Sequence, residues 1–207
     1  LDVFIAVPPS EEGAELNTEA YIDGLQENFP SITEIEGEAN TPFYWKFSDE
    51  DRFREARLFS FTTPMSEKLL EPMRLVEGAY PEAGQQEIAV EQRMADDFDL
   101  AVGDSIDLRM LGLEELPTET WTISGIVFHA YNQASSQSMF MPLANAAAVS
   151  GIEGVNTLAM RFTDFETARE KRAEIMDYIN AQTPYAAQLA MPSDPRSEER
   201  RVGKECA

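Results

Sequence analysis

Cysteine and histidine are almost missing from this chain: each occurs once in 207 residues, as Cys206 and His129. A single cysteine excludes an internal disulfide framework and a multi-cysteine metal site. A single histidine cannot build a typical zinc site. His129 lies in the apolar stretch "IVFHAY" without a G-x-S-x-G turn, so it reads as a structural strand histidine rather than a catalytic base. Neither G-x-x-x-x-G-K-[ST] nor G-x-G-x-x-G occurs, which leaves the chain without a phosphate cradle for ATP or a dinucleotide. There is no apolar run of about eighteen residues or more, the length that a membrane-spanning helix needs.

Positive charge is also scarce. Sixteen Lys and Arg face 38 Asp and Glu, for a formal net charge of -22. A surface of that sign repels phosphate backbones and anionic lipid headgroups, so no nucleic-acid partner is expected. The acidity serves solubility or reflects a saline habitat; composition does not separate the two. Hydrophobic residues make up 43% and aromatics 10%, enough to bury a core.

The end of the chain differs from the rest. "RSEERRVGKEC", Arg196 to Cys206, concentrates four basic residues and the one cysteine. It resembles, without a gap, the in-frame translation of a widely used short-read sequencing adapter, and residues 196–207 are set aside as a disordered artefact. The genuine part of this sequence is then expected to stop near Pro195, with the protein's own end lying beyond what is given. The abrupt start in "LDVFIAVPPS", without Met or a signal peptide, leads to the expectation of a piece cut from a longer protein.

What is present patterns as α+β. "DVFIAVP" alternates as a strand, and "NTEAYIDGLQENFP" places Tyr21, Leu25 and Phe29 at helical spacing before Pro30 stops the helix. "SITEIEGEA" is a strand. "TPFYWKFSDEDRFREARLFSFTT" is a hairpin around Ser48 to Asp51. "PMSEKLLEPMRLVEG" reads as a short helix interrupted at Pro72. "EIAV", "VGDSIDLRM" and "TWTISGIVFHA" read as strands, the last with a bulge or bend at its glycine, and "EQRMADDFDL" as a short helix. After "MFMPLANAAAVSG" come the strand "NTLAMRFTD", an Asp164-capped helix with Ala168, Ile175, Met176 and Ile179 on one stripe, and a last strand in "PYAAQLAM".

The expected architecture is a porter-like βαβ layer built from residues 1–80 and 139–195. A small β-rich subdomain, residues 81–138, is inserted between them.

Candidate sites are few. Phe43, Tyr44, Trp45 and Phe47 either line a ligand-stacking surface or, more in keeping with alternating strands, belong to the core. The acidic groups Asp49-Glu50-Asp51, Asp96-Asp97-Asp99 and Glu114-Glu115 offer paired carboxylates for hydrolysis or Ca²⁺, but none matches an EF-hand loop. No catalytic, cofactor or metal residue is assigned, and no enzyme is expected. The polar loops "LGLEELPTET" and "YNQASSQS" are candidate contact points for a partner or a second protomer.

One ordered series carries more: "GAYP" (Gly78 to Pro81), "EIAV", "FDLAVGD" (Phe98 to Asp104), "IDL", "TISGIV" with Gly125, and "MFMPL" with Pro142. It resembles the extracytoplasmic core domain of MacB/FtsX-type ABC transporter permeases. That family has a "G-r-x-p" turn, a "vGD" turn between helix and strand, a "tvvGiv" strand and a "vfvpl" segment in this order. The resemblance implies structural roles for Gly78, Pro81, Gly103, Asp104, Gly125 and Pro142. It also implies a place on the periplasmic or extracellular side of a bacterial membrane, between transmembrane helices outside this sequence. An ABC ATPase subunit or domain, a permease dimer and a possible extracytoplasmic partner protein are its implied partners. The implied function is to couple ATP-driven motion to export or release of a substrate. The alternatives are a stand-alone ligand- or protein-binding module and, less in keeping with the residues, a carboxylate hydrolase.

Overall fold

The computed structural model describes residues 2–6, 18–110, 118–130, 137–150, 154–182 and 186–190. Their order is β1 (Asp2–Ala6), α1 (Thr18–Asn28), β2 (Ile32–Phe47), β3 (Arg54–Phe61), β4 (Met73–Gly78), β5 (Glu87–Glu91), α2 (Gln92–Phe98), β6 (Ser105–Met110), β7 (Glu119–His129), β8 (Ser138–Pro142), α3 (Leu143–Ser150), β9 (Thr157–Phe162), α4 (Phe165–Gln182) and β10 (Ala186–Ala190). The strands form one sheet in the order β10-β1-β9-β2-β3-β8-β5-β7-β4, with β6 bridging β2 and β7. That bridge closes six strands into a ring: β2-β3-β8-β5-β7-β6 and back to β2.

The long strand β2 belongs to both parts of the sheet. One of its edges pairs with β9 over Ile32 to Glu38, then with β6 over Phe43 to Phe47. The other pairs with β3 over Glu38 to Trp45. Between its two partners the first edge is open, and three residues manage it. Asn156 donates its backbone N–H to the Glu38 carbonyl. Its side-chain amide then imitates a strand, with Oδ1 accepting from the Asn40 N–H at 2.7 Å and Nδ2 donating to the Asn40 carbonyl at 3.0 Å. The next N–H on that edge by parity would be residue 42, and Pro42 has none to leave unsatisfied.

One face of β2 feeds two cores. Ile35 contributes to the helix-backed core with Tyr21, Leu25, Phe29 and Ile32, Leu158 and Met160 of β9, and Ile175 and Ile179 of α4. Farther along, Phe43 and Trp45 fill the ring's interior with Leu58, Met139, Ile88, Val90, Ile106, Leu108, Trp121 and Ile123. A third cluster, Phe61, Met65, Met73, Ala89, Val127 and Phe140, lies where the β3–β4 connection and β4 cover the outside of the ring.

Several expectations are revised. "SITEIEGEA" and the first half of the hairpin are one continuous strand. "PMSEKLLEPMRLVEG" is a single 3₁₀ turn (Met65–Glu67) followed by strand β4. Two prolines delimit it, and the N–H groups of Leu69 and Leu70 bond to Glu36 instead of to a helical turn. Three ring strands, β2, β3 and β8, come from residues 1–80 and 139–195, and three, β5 to β7, from residues 81–138. The strands of residues 81–138 do not close on themselves; β5 to β7 complete a ring with β2, β3 and β8.

Replacing Asn156 with Ala removes both side-chain bonds and strands the Asn40 peptide groups. It should cost about 1–3 kcal/mol, read as a lower urea midpoint at unchanged m-value.

Candidate functional site

Four of the motif residues meet at one end of the ring. Gly103 has φ +97° and donates its N–H to the Ile123 carbonyl at 2.8 Å. Asp104 accepts from the Ala101 N–H at 2.8 Å through Oδ2, and its carbonyl accepts from the Ile123 N–H. β7 carries an extra residue, Ser124, between the partners of Ile88 and Ala89. Against that bulge the Gly78-Ala79 backbone closes directly: Ala79 N–H bonds to the Ser124 carbonyl. A Cβ at Gly78 (φ +74°) would sit 2.2 Å from Ser124 O, and one at Gly125 2.3 Å from Ala79 O. Gly78 and Gly125 leave room for this backbone contact, whereas Gly103 has open space around it and supplies the positive φ of its turn.

Pro81 and Pro142, the other two motif residues, line a cavity of 620 Å³. Its walls come from the end of β3 and the turn after it (Phe61 to Ser66), from Tyr80 to Ala83, and from the β8–α3 junction (Met141 to Ala144). Phe61, Met65, Tyr80, Met141 and Leu143 make it mainly apolar, and among the described residues Glu82 is the one charged residue in the lining. Asn145 of α3 fastens the wall that Glu82 belongs to, accepting from Gly84 N–H and donating to the Glu82 and Gln85 carbonyls. Tyr80 forms part of the wall and reaches β4: its hydroxyl accepts from Leu75 N–H at 3.1 Å and donates to the Met73 carbonyl at 3.0 Å.

Behind this region lie buried charges that local sequence patterns did not reveal. Glu36, on the face of β2 away from α1 and α4, receives Lys68 Nζ at 2.6 Å and the Leu69 and Leu70 N–H groups. Both side chains are almost wholly buried, and Lys68 also sits 4.1 Å from the Phe61 ring centre. Glu91 is fully buried and held by the backbone and guanidinium of Arg93. Arg93 in turn donates to the His129 carbonyl. Burial, with Lys68 nearby, lowers the His129 imidazole to about 4. Its ring meets Phe140 edge-on, 5.8 Å between centroids, and His129 Nε2 lies 3.7 Å from Glu71. A histidine kept neutral inside the sheet is a packing group.

Of the aromatic candidates, Phe43, Trp45 and Phe47 go to the core, and Tyr44 is half-buried on the other face of β2. Phe43 and Trp45 are 1% and 0% exposed, and Arg54 stands over Trp45, Phe47 and Phe98. Arg109 stands over the rings of Tyr44 and Phe53, which meet edge-on, 6.3 Å between centroids. The acidic groups do not converge. Asp49 and Asp51 sit on the hairpin turn, Asp96 and Asp97 on exposed positions of α2, and Asp99 caps α2 at φ +53°. Among the described residues no group of three His, Cys, Asp or Glu is placed to hold a metal ion. Glu114-Glu115, most of both polar loops and residues 191–207 with Cys206 lie outside the described residues. Among the described residues no helix is long and apolar enough to cross a membrane.

A helix-backed layer is joined through β2 to a six-stranded ring, with tight glycine contacts at one end, and among the described residues no three metal-ligating side chains converge. The chain belongs to the MacB-like periplasmic core domain family, which it matches over residues 2–178. Solved structures agree in fold. The extracellular domain of the ABC-type transporter YknZ from Gram-positive bacteria is 14% identical, with TM-score 0.60 over 92% of this chain and 99% of that one. The periplasmic region of MacB from Actinobacillus actinomycetemcomitans is 8% identical, with TM-score 0.60 over 98% and 91%. A domain of a putative permease protein from Porphyromonas gingivalis gives 13% identity and TM-score 0.53 over 94% and 92%. No curated protein matches at a significant level.

Two outcomes test the buried charges. Lys68→Met leaves the Glu36 carboxylate buried without its cation and should cost about 3–5 kcal/mol in chemical unfolding. For His129, the folded pKa lies below the unfolded value, so the unfolded chain binds the extra proton first. Stability from this group is therefore intact above about pH 6.5 and declines as pH falls toward 4, by up to about 3 kcal/mol. His129→Gln should flatten that part of the stability–pH profile while leaving the part above pH 7 parallel to the parent.

Proposed function

We propose that the chain is the extracytoplasmic domain of an ABC transporter permease, and that it passes ATP-driven motion of a membrane part to the export or release of a substrate. The observation that carries the reading is the match to the MacB-like periplasmic core domain over residues 2–178, supported by likeness in fold to the YknZ and MacB domains. The architecture suits the role. Tight backbone packing at Gly78 and Gly125 and buried ion pairs at Glu36 and Glu91 favour a body that moves as a unit. On this reading the partners are an ATPase subunit or domain, a second permease protomer and, outside the membrane, a protein partner. The place is the periplasmic or extracellular side of a bacterial membrane. The segment 81–138 is proposed as the inserted part, with β2 as the seam.

Burial of Phe43 and Trp45 weighs against a stand-alone aromatic ligand module, and the scattered carboxylates against a hydrolase. Recovery of the parent gene tests the proposal. An apolar helix of roughly twenty residues should precede the domain and about three more should follow it, beside a fused or neighbouring ATPase. A parent gene that encodes only a water-soluble chain would overturn it.

A further inference from the structure

Strand β4 ends the sheet: its inner edge pairs with β7, and no strand among the described residues pairs with its outer edge. An open edge offers an N–H and a carbonyl two residues apart to any incoming strand. Here that pair, Leu75 N–H and Met73 C=O, is taken by a single hydroxyl, Tyr80 Oη, which accepts from the first and donates to the second. The hydroxyl does what an incoming peptide unit would do. Past Val76 the edge is broken by a bulge, because the register shifts between Leu75 and Glu77. The pairable stretch of β4 is therefore short and centred on the Tyr80 bonds. Directly beside it, with Tyr80 as a shared wall, lies the 620 Å³ cavity lined by Phe61, Met65, Met141 and Leu143.

We propose that this edge and cavity form one recognition site for an extended segment of a partner protein. The partner's backbone replaces the Tyr80 hydroxyl on Leu75 and Met73, and one of its apolar side chains enters the cavity as Tyr80 swings away. Main-chain bonds then give affinity and the cavity selects the side chain, as in strand addition to other sheet edges. The surroundings specify charge as well. Over residues 71–82 the exposed charges are Glu71, Glu77 and Glu82 against Arg74, while Lys68 is buried in its pair with Glu36 and Arg161 is paired with Glu34. The segment is thus apolar at one position and basic on either side. A second copy of this acidic chain is the wrong partner for that rim. Tyr80 keeps the edge closed to indiscriminate pairing until such a segment arrives. None of this depends on coupling to an ATPase, and the test below reads the site alone.

The probe is the blocked peptide acetyl-KTKLKTK-amide, with acetyl-KTKGKTK-amide as control, titrated into the ¹⁵N-labelled 207-residue chain. The leucine peptide should shift the Leu75 amide resonance and bind at least tenfold more tightly than the glycine peptide. Tyr80→Phe frees the edge while keeping the ring, and should tighten the leucine peptide by about tenfold, the scale of one or two net hydrogen bonds. Ala144→Trp, placed in the cavity wall away from β4, should abolish the preference for leucine, and Glu77→Lys with Glu82→Lys should weaken both peptides. Circular dichroism checks that each variant is folded. Equal binding of the two peptides, no binding to either the parent or Tyr80→Phe, or an unmoved Leu75 amide would each overturn the proposal. If Tyr80→Phe is unfolded, loss of the leucine preference in Ala144→Trp supports the proposal and its persistence overturns it.

Discussion

The continuity of β2 is the constraint on which the other elements depend. Its sixteen residues present one face to the helix-backed core and then, without a break, to the interior of the ring. Because side chains alternate strictly along a strand, a slip of one residue would expose Phe43 and Trp45 and bury the charges opposite. The same rule places Glu36 on the other face, where it can be neutral in effect only by holding Lys68 and two backbone N–H groups. Through those bonds the β3–β4 connection is fixed across the outside of the sheet, and with it the start of β4.

Two side chains act as substitute strands. The Asn156 amide covers the gap where β2 changes partner, and the Tyr80 hydroxyl covers the outer edge of β4. Each supplies a donor and an acceptor to backbone groups that would otherwise be unpaired. The two differ in setting. Asn156 lies between permanent partners, whereas Tyr80 stands between an apolar cavity and an edge with no further strand beside it among the described residues.

Much of the fold was legible from local rules. The 3.6-residue spacing of Tyr21, Leu25 and Phe29, the capping carboxylate of Asp164 and the alternation of Ile106 and Leu108 each identify an element that the structure contains. The segment from Pro64 to Gly78 was not legible, because its conformation is set by Glu36, about thirty residues earlier in the chain. Ring closure was hidden for a similar reason: no short-range pattern says that β6 will pair with β2. At the candidate site the glycine and proline turns could be read as turns. Their convergence on the β7 bulge and the cavity could not, nor could Tyr80, whose partners Met73 and Leu75 are a matter of tertiary geometry. The acidic clusters misdirect, since in so acidic a chain neighbouring carboxylates arise from composition.

Ring closure also has a mechanical consequence. In a closed ring of hydrogen-bonded strands no pair can slide without shearing its neighbours, and here one member of the ring continues as a strand of the adjoining layer. Bending between ring and layer would require breaking the ladder along β2 or prising Asn156 from Asn40. The backbone of β2, shared by both, is therefore the covalent and hydrogen-bonded link between layer and ring.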